Sequence, residues 1–223
     1  MDMNFVEKYH PQAVMYIWQG GMEGGHGVAD LLLGRVAPSG HLADTIAYDL
    51  EDYPSTMNFG SETKSFYQED IYVGYRYFET VAKDRVMYPF GYGLSYTTSA
   101  QEVTAKEQQG DVISLTVKVT NTGDVAGKDV VQVYYQPPQG TLCKPVRNLI
   151  RFAKTKELQP GEEQSLTFSF DVTEMVSFDD SGVTGYKNAY ILEAGEYILR
   201  LGNSSRSTAV AGVLTLDKEV VVS

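Results

Sequence analysis

The sequence is poor in the residues from which disulfides and metal sites are built. Its 223 residues include one cysteine, Cys143, so no internal disulfide can form. The three histidines, His10, His26 and His41, are scattered and show no metal-ligand spacing. We therefore expect no bound metal, and the single cysteine fits a reducing compartment.

Basic residues and long apolar runs are also scarce. The chain has 18 Lys and Arg against 29 Asp and Glu, a formal net charge of −11. Nucleic acids and anionic membranes bind basic faces, so neither is an expected partner. No run reaches the ~18 apolar residues of a membrane span. Residues 1–11 lack the basic-then-apolar pattern of a signal peptide, and a cytoplasmic location is the expectation.

Aromatic residues are abundant and concentrated in one stretch. Residues 66–96 hold seven of the sixteen tyrosines, together with three phenylalanines and three glycines. Tyrosine offers an apolar ring and a polar tip, which suits a long ordered connection whose rings pack and whose hydroxyls form hydrogen bonds. We interpret this stretch as a connector between two unlike domains.

The chain before the connector has the pattern of an α/β unit. Residues 13–18 (AVMYIW) form an apolar run of strand length, typical of a parallel strand covered on both faces. A glycine-rich turn follows, then a helical apolar face that ends near Gly34, a residue suited to a helix C-cap. This part therefore predicts a strand, a tight turn and a helix.

The glycine-rich turn does not indicate a cofactor. GGMEGG (residues 20–25) matches neither the dinucleotide fingerprint nor the P-loop, and Glu23 would repel a phosphate. Glycines also serve simply to permit a tight turn and close backbone approach. We expect no cofactor.

After the connector the pattern changes to alternation with a period of two. Strand-like segments such as VISLTVKV (residues 112–119) and DVVQVYY (129–135) are separated by turn residues. The aromatic residues expected in the core are Phe152, Phe168, Phe170 and Tyr197. The predicted fold is mostly β: a fibronectin type III-like, immunoglobulin-like β-sandwich preceded by a partial α/β layer.

Several motifs in order resemble the C-terminal half of family 3 glycoside hydrolases, the β-glucosidase and β-xylosidase group. They are WQGGMEGG (residues 18–25), ADLLLG (29–34), VAPSGHL (36–42), DYP (52–54), YQEDIYVGYRYF (67–78), YPFGYGLSY (88–96), NTG (121–123), PGE (160–162) and AGEY (194–197). The resemblance covers essentially the whole chain. It implies an α/β sandwich end over residues 1–60, a connector over 61–95 and a fibronectin type III-like domain over 96–223.

The resemblance also implies what this chain does not hold. Family members are retaining glycosidases that use an Asp nucleophile in a barrel domain and, commonly, an acid/base Glu earlier in the α/β sandwich. No position here matches either motif, so no catalytic residue is assigned. Retaining hydrolysis needs both carboxylates about 5 Å apart. We expect the isolated chain to be inactive and to need the remaining barrel and α/β parts, or a self-association partner.

Glu69 and Asp70 in the connector are candidates for contact with the hydroxyl groups of a β-linked sugar, or for a general-acid role, at the rim of a pocket. The structural alternative is that they form ion pairs with Arg76 or Lys64, or cap the helix-like segment that follows. In an extended segment neighbouring side chains point in opposite directions, which argues against a joint catalytic role.

Trp18 is a third candidate for substrate contact. Its position beside the glycine-rich turn allows stacking on a sugar face, while core packing is the alternative.

Two functions of different class stay open at this point. The first is a part of a retaining exo-glycosidase, and the second is a non-catalytic fibronectin-like module for binding or assembly. An assay with a chromogenic aryl glycoside separates them.

Overall fold

Strands dominate the secondary structure of residues 3–222, which the computed structural model describes. The helices are α1 (Phe5–Tyr9), α2 (Gly24–Leu32) and α3 (Tyr75–Val81). The strands are β1 (Ile46–Ala47), β2 (Val86–Tyr88), β3 (Ser99–Gln109), β4 (Val112–Asn121), β5 (Val130–Gln136), β6 (Asn148–Lys154), β7 (Glu163–Asp171), β8 (Ser177–Asp179), β9 (Ala189–Leu192), β10 (Gly195–Gly202), β11 (Thr208–Leu216) and β12 (Val220–Val222). No helix in this described part is long and apolar enough to cross a membrane.

Two antiparallel sheets form the predicted sandwich. One has the order β3-β4-β7 and the other β11-β10-β5-β6. The alternation along β4 decides which of its side chains face the core, because every second residue points to the same face of a strand. Its four inward residues are fully buried: Ile113, Leu115, Val117 and Val119. They join β5, β7 and β10 in one apolar cluster, so the core lies between the sheets.

Side chains close the two open sides of the sandwich. At one side Arg151 of β6 donates from Nε to the carbonyl of Ser169 on β7 (2.9 Å) and also pairs with Glu174. At the other, Lys106 of β3 donates from Nζ to the carbonyl of Val213 on β11 (2.7 Å). These contacts link strands that belong to different sheets.

One expected core aromatic is wrong. Phe168, Phe170 and Tyr197 are buried, but Phe152 is 68% exposed. Its neighbour Ala153 stands opposite Val131 and takes the inward position. A shift of one residue along a strand exchanges the inner and outer faces.

The expected strand at residues 13–18 is not formed. This segment pairs with no strand among residues 3–222, and five of its six residues are exposed, including the large apolar Val14, Met15, Ile17 and Trp18. A parallel strand needs neighbours on its edges and cover on its faces. The sequence pattern fits such a strand, but the described part of the chain supplies neither neighbours nor cover.

The predicted helix and its end are confirmed. Helix α2 ends at Leu32, and Gly34 has φ +69°, the left-handed conformation. The N–H of Gly34 donates to the carbonyl of Leu31 (3.0 Å), and the N–H of Arg35 to that of Asp30 (2.9 Å). This pair of bonds is the Schellman motif. No residue of α2 is buried, so its apolar side chains have no partner layer in the described chain.

Two small sheets complete the strand structure: β8, β9 and β12 pair in the order β12-β9-β8, and β1 and β2 pair next to the connector. Strand β1 pairs antiparallel with β2, and a small buried cluster of Ala47, Phe78, Ala82 and Val86 packs beneath them. The hydroxyl of Tyr53 accepts from the N–H of Ala47 (2.9 Å). The predicted division at residues 60 and 95 stays a prediction.

Candidate functional site

The connector contains an open cavity built by residues 66–73, which we call the rim segment. The cavity has a volume of about 390 Å³. It is lined by Ser55, Phe66, Tyr67, Gln68, Glu69, Asp70 and Val73. A neighbouring depression of about 270 Å³ shares Ser55 and Phe66 with it. We call the first cavity the rim cavity; it brings exposed rings and carboxylates to one place.

Glu69 and Asp70 line the same cavity, contrary to the expectation for an extended segment. Residues 68–71 form a turn, in which the N–H of Tyr72 donates to the carbonyl of Glu69 (2.8 Å). Asp70 has φ +48°, a left-handed conformation that Asp adopts more easily than most residues. The turn, which the sequence pattern did not predict, therefore places both carboxylates on one side.

The expected ion pairs of these carboxylates are not present. Among residues 3–222, neither Glu69 nor Asp70 forms an ion pair with Arg76 or Lys64. Glu69 is half-buried and receives a long hydrogen bond of 3.5 Å from the hydroxyl of Ser55. Both carboxylates therefore keep acceptor capacity for the hydroxyl groups of a ligand.

Trp18 does not join this cavity. It is 57% exposed and packs against Tyr16 with 4.4 Å between the ring centroids. Its backbone has φ +53°, which is rare for a bulky residue. The alternative of core packing is therefore wrong for the described chain, and the exposed ring is free to contact another surface.

Helix α3 follows the rim segment and anchors it to the sandwich. Gly74, with φ +60°, separates the two. The ring of Tyr75 stacks on Phe90 (4.7 Å between centroids), and its hydroxyl accepts from the N–H of Leu149 (2.8 Å). One turn further, the hydroxyl of Thr80 accepts from the N–H of Val146 (3.1 Å). The hydroxyl groups of two α3 residues thus accept hydrogen bonds from backbone N–H groups of the sandwich domain.

A polar junction joins α3 to the sandwich. It consists of the buried Glu79 and Ser205, the half-buried Arg147 and the exposed Arg206, and sequence reasoning missed all four. The hydroxyl of Ser205 donates to Oε1 of Glu79 (3.1 Å), and Arg206 pairs with the same oxygen (3.3 Å). Arg147 donates to the carbonyl of Ser205. An acidic residue at a buried position of a helix, as Glu79 is, would have indicated such a junction. The sequence alone does not show which helix positions are buried.

Tyrosines beside the junction are held in their neutral form. Burial raises the pKa of Tyr134 far above its usual range. Burial also raises the pKa of Tyr135 to about 12. The hydroxyl of Tyr134 donates to Oε1 of Gln132 (2.5 Å), and Gln132 in turn donates to the carbonyl of Asn203 (2.7 Å). These groups act as hydrogen-bonding structure and not as proton donors at neutral pH.

The site has the chemistry to bind a neutral polar ligand. Carboxylates and amides accept and donate hydrogen bonds to hydroxyl groups, and exposed rings stack on apolar faces. Within the described residues no group of three His, Cys, Asp or Glu side chains could hold a metal ion.

Two family profiles match the sequence. The Glycosyl hydrolase family 3 C-terminal domain matches residues 1–96, and the Fibronectin type III-like domain matches residues 129–205. Among curated proteins, a β-glucosidase of Ruminococcus albus is 51% identical over 223 residues, covering 100% of this chain and 23% of the relative. Beta-glucosidase A of Butyrivibrio fibrisolvens is 48% identical, with 94% of this chain and 28% of the relative covered.

Solved structures give the same result. A β-glucosidase from Paenibacillus barengoltzii superposes with a TM-score of 0.95 at 51% identity, covering 99% of this chain and 25% of that one. Beta-glucosidase 3B from Thermotoga neapolitana, solved with α-D-glucose, gives a TM-score of 0.84 at 39% identity, covering 93% and 28%. The chain spans about a quarter of the length of the curated relatives it matches.

Proposed function

The chain belongs to glycoside hydrolase family 3, corresponding to the C-terminal region of its members, and we propose on this basis that it is the C-terminal portion of a retaining β-glucosidase. In this proposal the catalytic carboxylates lie in parts of the enzyme outside these 223 residues. The isolated chain does not hydrolyse glycosides, because loss of either carboxylate removes the two-step mechanism.

The observation that carries the proposal is the extent of the similarity. Identity of 51% runs over the whole chain, while only 23% of the relative is covered. A module with an independent function would not be expected to match both the α/β part and the sandwich of one enzyme in one continuous alignment. The non-catalytic binding module is therefore the weaker alternative for the complete protein.

The face that would receive the rest of the enzyme is the first part of the chain. Large apolar side chains are exposed there in α2, in the unpaired segment 13–18 and close by: Phe5, Val14, Met15, Ile17, Trp18, Met22, Leu32, Leu33 and Val36. Exposed apolar side chains in this density mark an interaction surface. We propose that the remaining α/β and barrel parts cover them, which supplies the strand neighbours that residues 13–18 lack.

The rim segment is the part proposed to reach the substrate. Glu69 and Asp70 would accept hydrogen bonds from the hydroxyl groups of a β-linked sugar, and Trp18 would offer a ring face from the docking side. The support is the shared cavity of the two carboxylates and their lack of ion-pair partners among the described residues.

A chimeric enzyme tests the proposal. The matched region of the Ruminococcus albus β-glucosidase is replaced by this chain, and hydrolysis of p-nitrophenyl β-glucoside is measured. We expect turnover by the chimera and none by this chain alone or by the relative truncated before the region. Turnover by this chain alone would show that the catalytic groups are present here. A folded but inactive chimera would favour the non-catalytic module.

We also propose a cytoplasmic location. Its support is the exposed free thiol of Cys143, which suits a reducing compartment. Cell fractionation with an antibody to the sandwich tests it, and recovery from the culture medium would overturn it.

A further inference from the structure

Lys144 and Glu193 form a buried ion pair at one corner of the sandwich. The Lys144 residue is 3% exposed and Glu193 is 5% exposed. The ammonium group of Lys144 donates to the Glu193 carboxylate. The same carboxylate accepts from the N–H of Thr141 (2.6 Å) and from that of Leu142 (3.3 Å). Glu193 directly follows β9, so the pair fastens residues 141–149 to the end of that strand. We call these residues the loop, and their last two residues begin β6.

The energetics of this pair point away from simple stabilisation. Removing two charges from water costs several kcal/mol, and the attraction between them often only compensates for it. Burial alone would raise the pKa of Glu193, but the hydrogen bond from Lys144 and those from Thr141 and Leu142 lower it overall. The carboxylate is therefore ionised, and it accepts hydrogen bonds from Lys144, Thr141 and Leu142. Such a pair fixes one arrangement of the chain more than it adds free energy.

The fastened loop holds helix α3 at its other end. The N–H of Val146 donates to the hydroxyl of Thr80, and the N–H of Leu149 donates to that of Tyr75. Within the loop the side-chain amide of Asn148 donates to the carbonyl of Pro145 (3.3 Å). The positions of the Val146 and Leu149 N–H groups thus depend on the path of the loop. The buried pair sets that path.

Helix α3 in turn fixes the rim segment. Val73 lines the rim cavity and is separated from α3 only by Gly74. Burial raises the pKa of the Tyr72 phenol beside it, and the nearby Cys143 and Asp70 raise that pKa further. A continuous set of contacts therefore runs from the buried pair through the loop and α3 to the cavity.

We propose that Lys144 and Glu193 are positioning residues: they set the path of residues 141–149, and through Tyr75 and Thr80 they hold the rim segment in place. This role deepens the proposed function, since the rim segment is its candidate sugar contact. Within residues 3–222 no hydrogen bond or ion pair joins the side chains of the pair to a residue lining the rim cavity, so the pair acts through the loop and the helix.

Amide hydrogen exchange on this chain, read residue by residue by NMR, tests the proposal without any assay of activity. The double variant Lys144→Met/Glu193→Gln removes both charges at similar volume, a change that folded proteins commonly tolerate. We expect exchange of the Val146 and Leu149 amides, and of the hydrogen-bonded Tyr72 amide in the rim segment, to rise by about tenfold or more, through local opening. The amides of β4 report global stability and should not change.

Two further variants make the result decisive. Glu174→Gln removes another ion pair of the same sandwich, that with Arg151 at the surface, and should leave residues 66–73 unchanged. Thr80→Val removes the acceptor of Val146 at the helix end and should release the rim segment without disturbing the pair, which covers the case in which the double variant does not fold. The proposal is overturned if the Tyr72 amide keeps its exchange rate in a folded double variant or in Thr80→Val, or if β4 accelerates equally.

The consequence for activity separates this proposal from the proposed function. In an active chimera, Lys144→Met/Glu193→Gln should raise KM severalfold with little change in kcat, because ground-state and transition-state binding weaken alike. An inactive chimera would count against the proposed function, while the exchange result would still decide the positioning role.

Discussion

The hydroxyl of Ser205 donates a 3.1 Å hydrogen bond to the buried carboxylate of Glu79, joining two residues 126 positions apart in the sequence. Glu79 belongs to α3 and Ser205 to the turn after β10, so this contact joins the connector to the sandwich. Arg206 pairs with the same carboxylate and neutralises its charge. The two parts are therefore held by buried polar contacts as well as by apolar packing.

Glu79→Gln should lower the free energy of unfolding by about 1–3 kcal/mol, because a charged hydrogen-bonded group is lost in a buried place. Urea unfolding followed by tyrosine fluorescence measures the change. Glu163→Gln is the matched control. The Glu163 carboxylate is half-exposed, and its ion pair with Lys118 is long, at 3.5 Å. The control should change stability by less than about 0.5 kcal/mol. Equal effects of the two variants would contradict the junction.

Tyr75→Phe should cost about 1–2 kcal/mol while keeping the ring stack on Phe90. The reason is that the N–H of Leu149 loses its acceptor. Tyr96→Phe provides the control: its hydroxyl donates to the carbonyl of Leu31 at 2.9 Å in an exposed place, where water can replace it. Stability of Tyr75→Phe equal to that of the parent would rule out the contact.

Gly91→Ala should destabilise the fold by about 2–4 kcal/mol, combining a left-handed conformation with a steric clash. Gly91 has φ +82°, and an added Cβ would lie 2.4 Å from Oε1 of Gln132. Gly161→Ala isolates the first effect, because Gly161 has φ +77° and nothing within 4 Å of an added Cβ. That control should cost about 1 kcal/mol. Thermal and urea unfolding of the pair give both values, and equal losses would refute the close approach.

Asp179 makes stability dependent on acid pH. Burial alone would raise its pKa, but hydrogen bonds from Thr184, Gly182 and Ser181 outweigh it and hold the pKa well below its usual range. Since the folded pKa lies below the unfolded value of about 4, this stabilisation is complete above pH ~4 and is lost as pH falls below it.

Asp179→Asn should therefore unfold at lower urea concentration than the parent at pH 7, and the difference should shrink as pH falls toward 2. Urea midpoints at several pH values measure it. Asp180→Asn, the exposed neighbour, is the control and should follow the parent throughout. A constant difference between Asp179→Asn and the parent from pH 7 to pH 2 would contradict the assignment.

In an active chimera, Glu69→Gln and Asp70→Asn should each raise KM for an aryl β-glucoside by about threefold to tenfold with kcat within about twofold, since a rim contact binds ground state and transition state alike. Steady-state kinetics decide it. Glu62→Gln, in the same connector but outside the rim cavity, should match the parent. A large loss of kcat would assign these carboxylates a role in the chemical step.

Glu69 and Asp70 show how far the sequence reaches into the candidate site. Their composition and place in an ordered motif were sufficient to single them out. Their common orientation was not predictable, because it depends on the turn at residues 68–71 and on the left-handed Asp70. Propensity rules describe the average conformation of such a segment, whereas one turn decides which side chains meet.

Sequence patterns were sufficient to predict the sandwich and the helix end at Gly34. Alternation in β4 sorts residues such as Leu115 to the core because side chains on a strand alternate, and a glycine after α2 permits the left-handed cap. The residues that join the connector to the sandwich could be identified only in the folded chain. Glu79 meets Ser205, and Lys144 meets Glu193, through folding of distant segments into one place. Local rules cannot foresee such pairs, since their energy depends on burial that exists only in the folded chain.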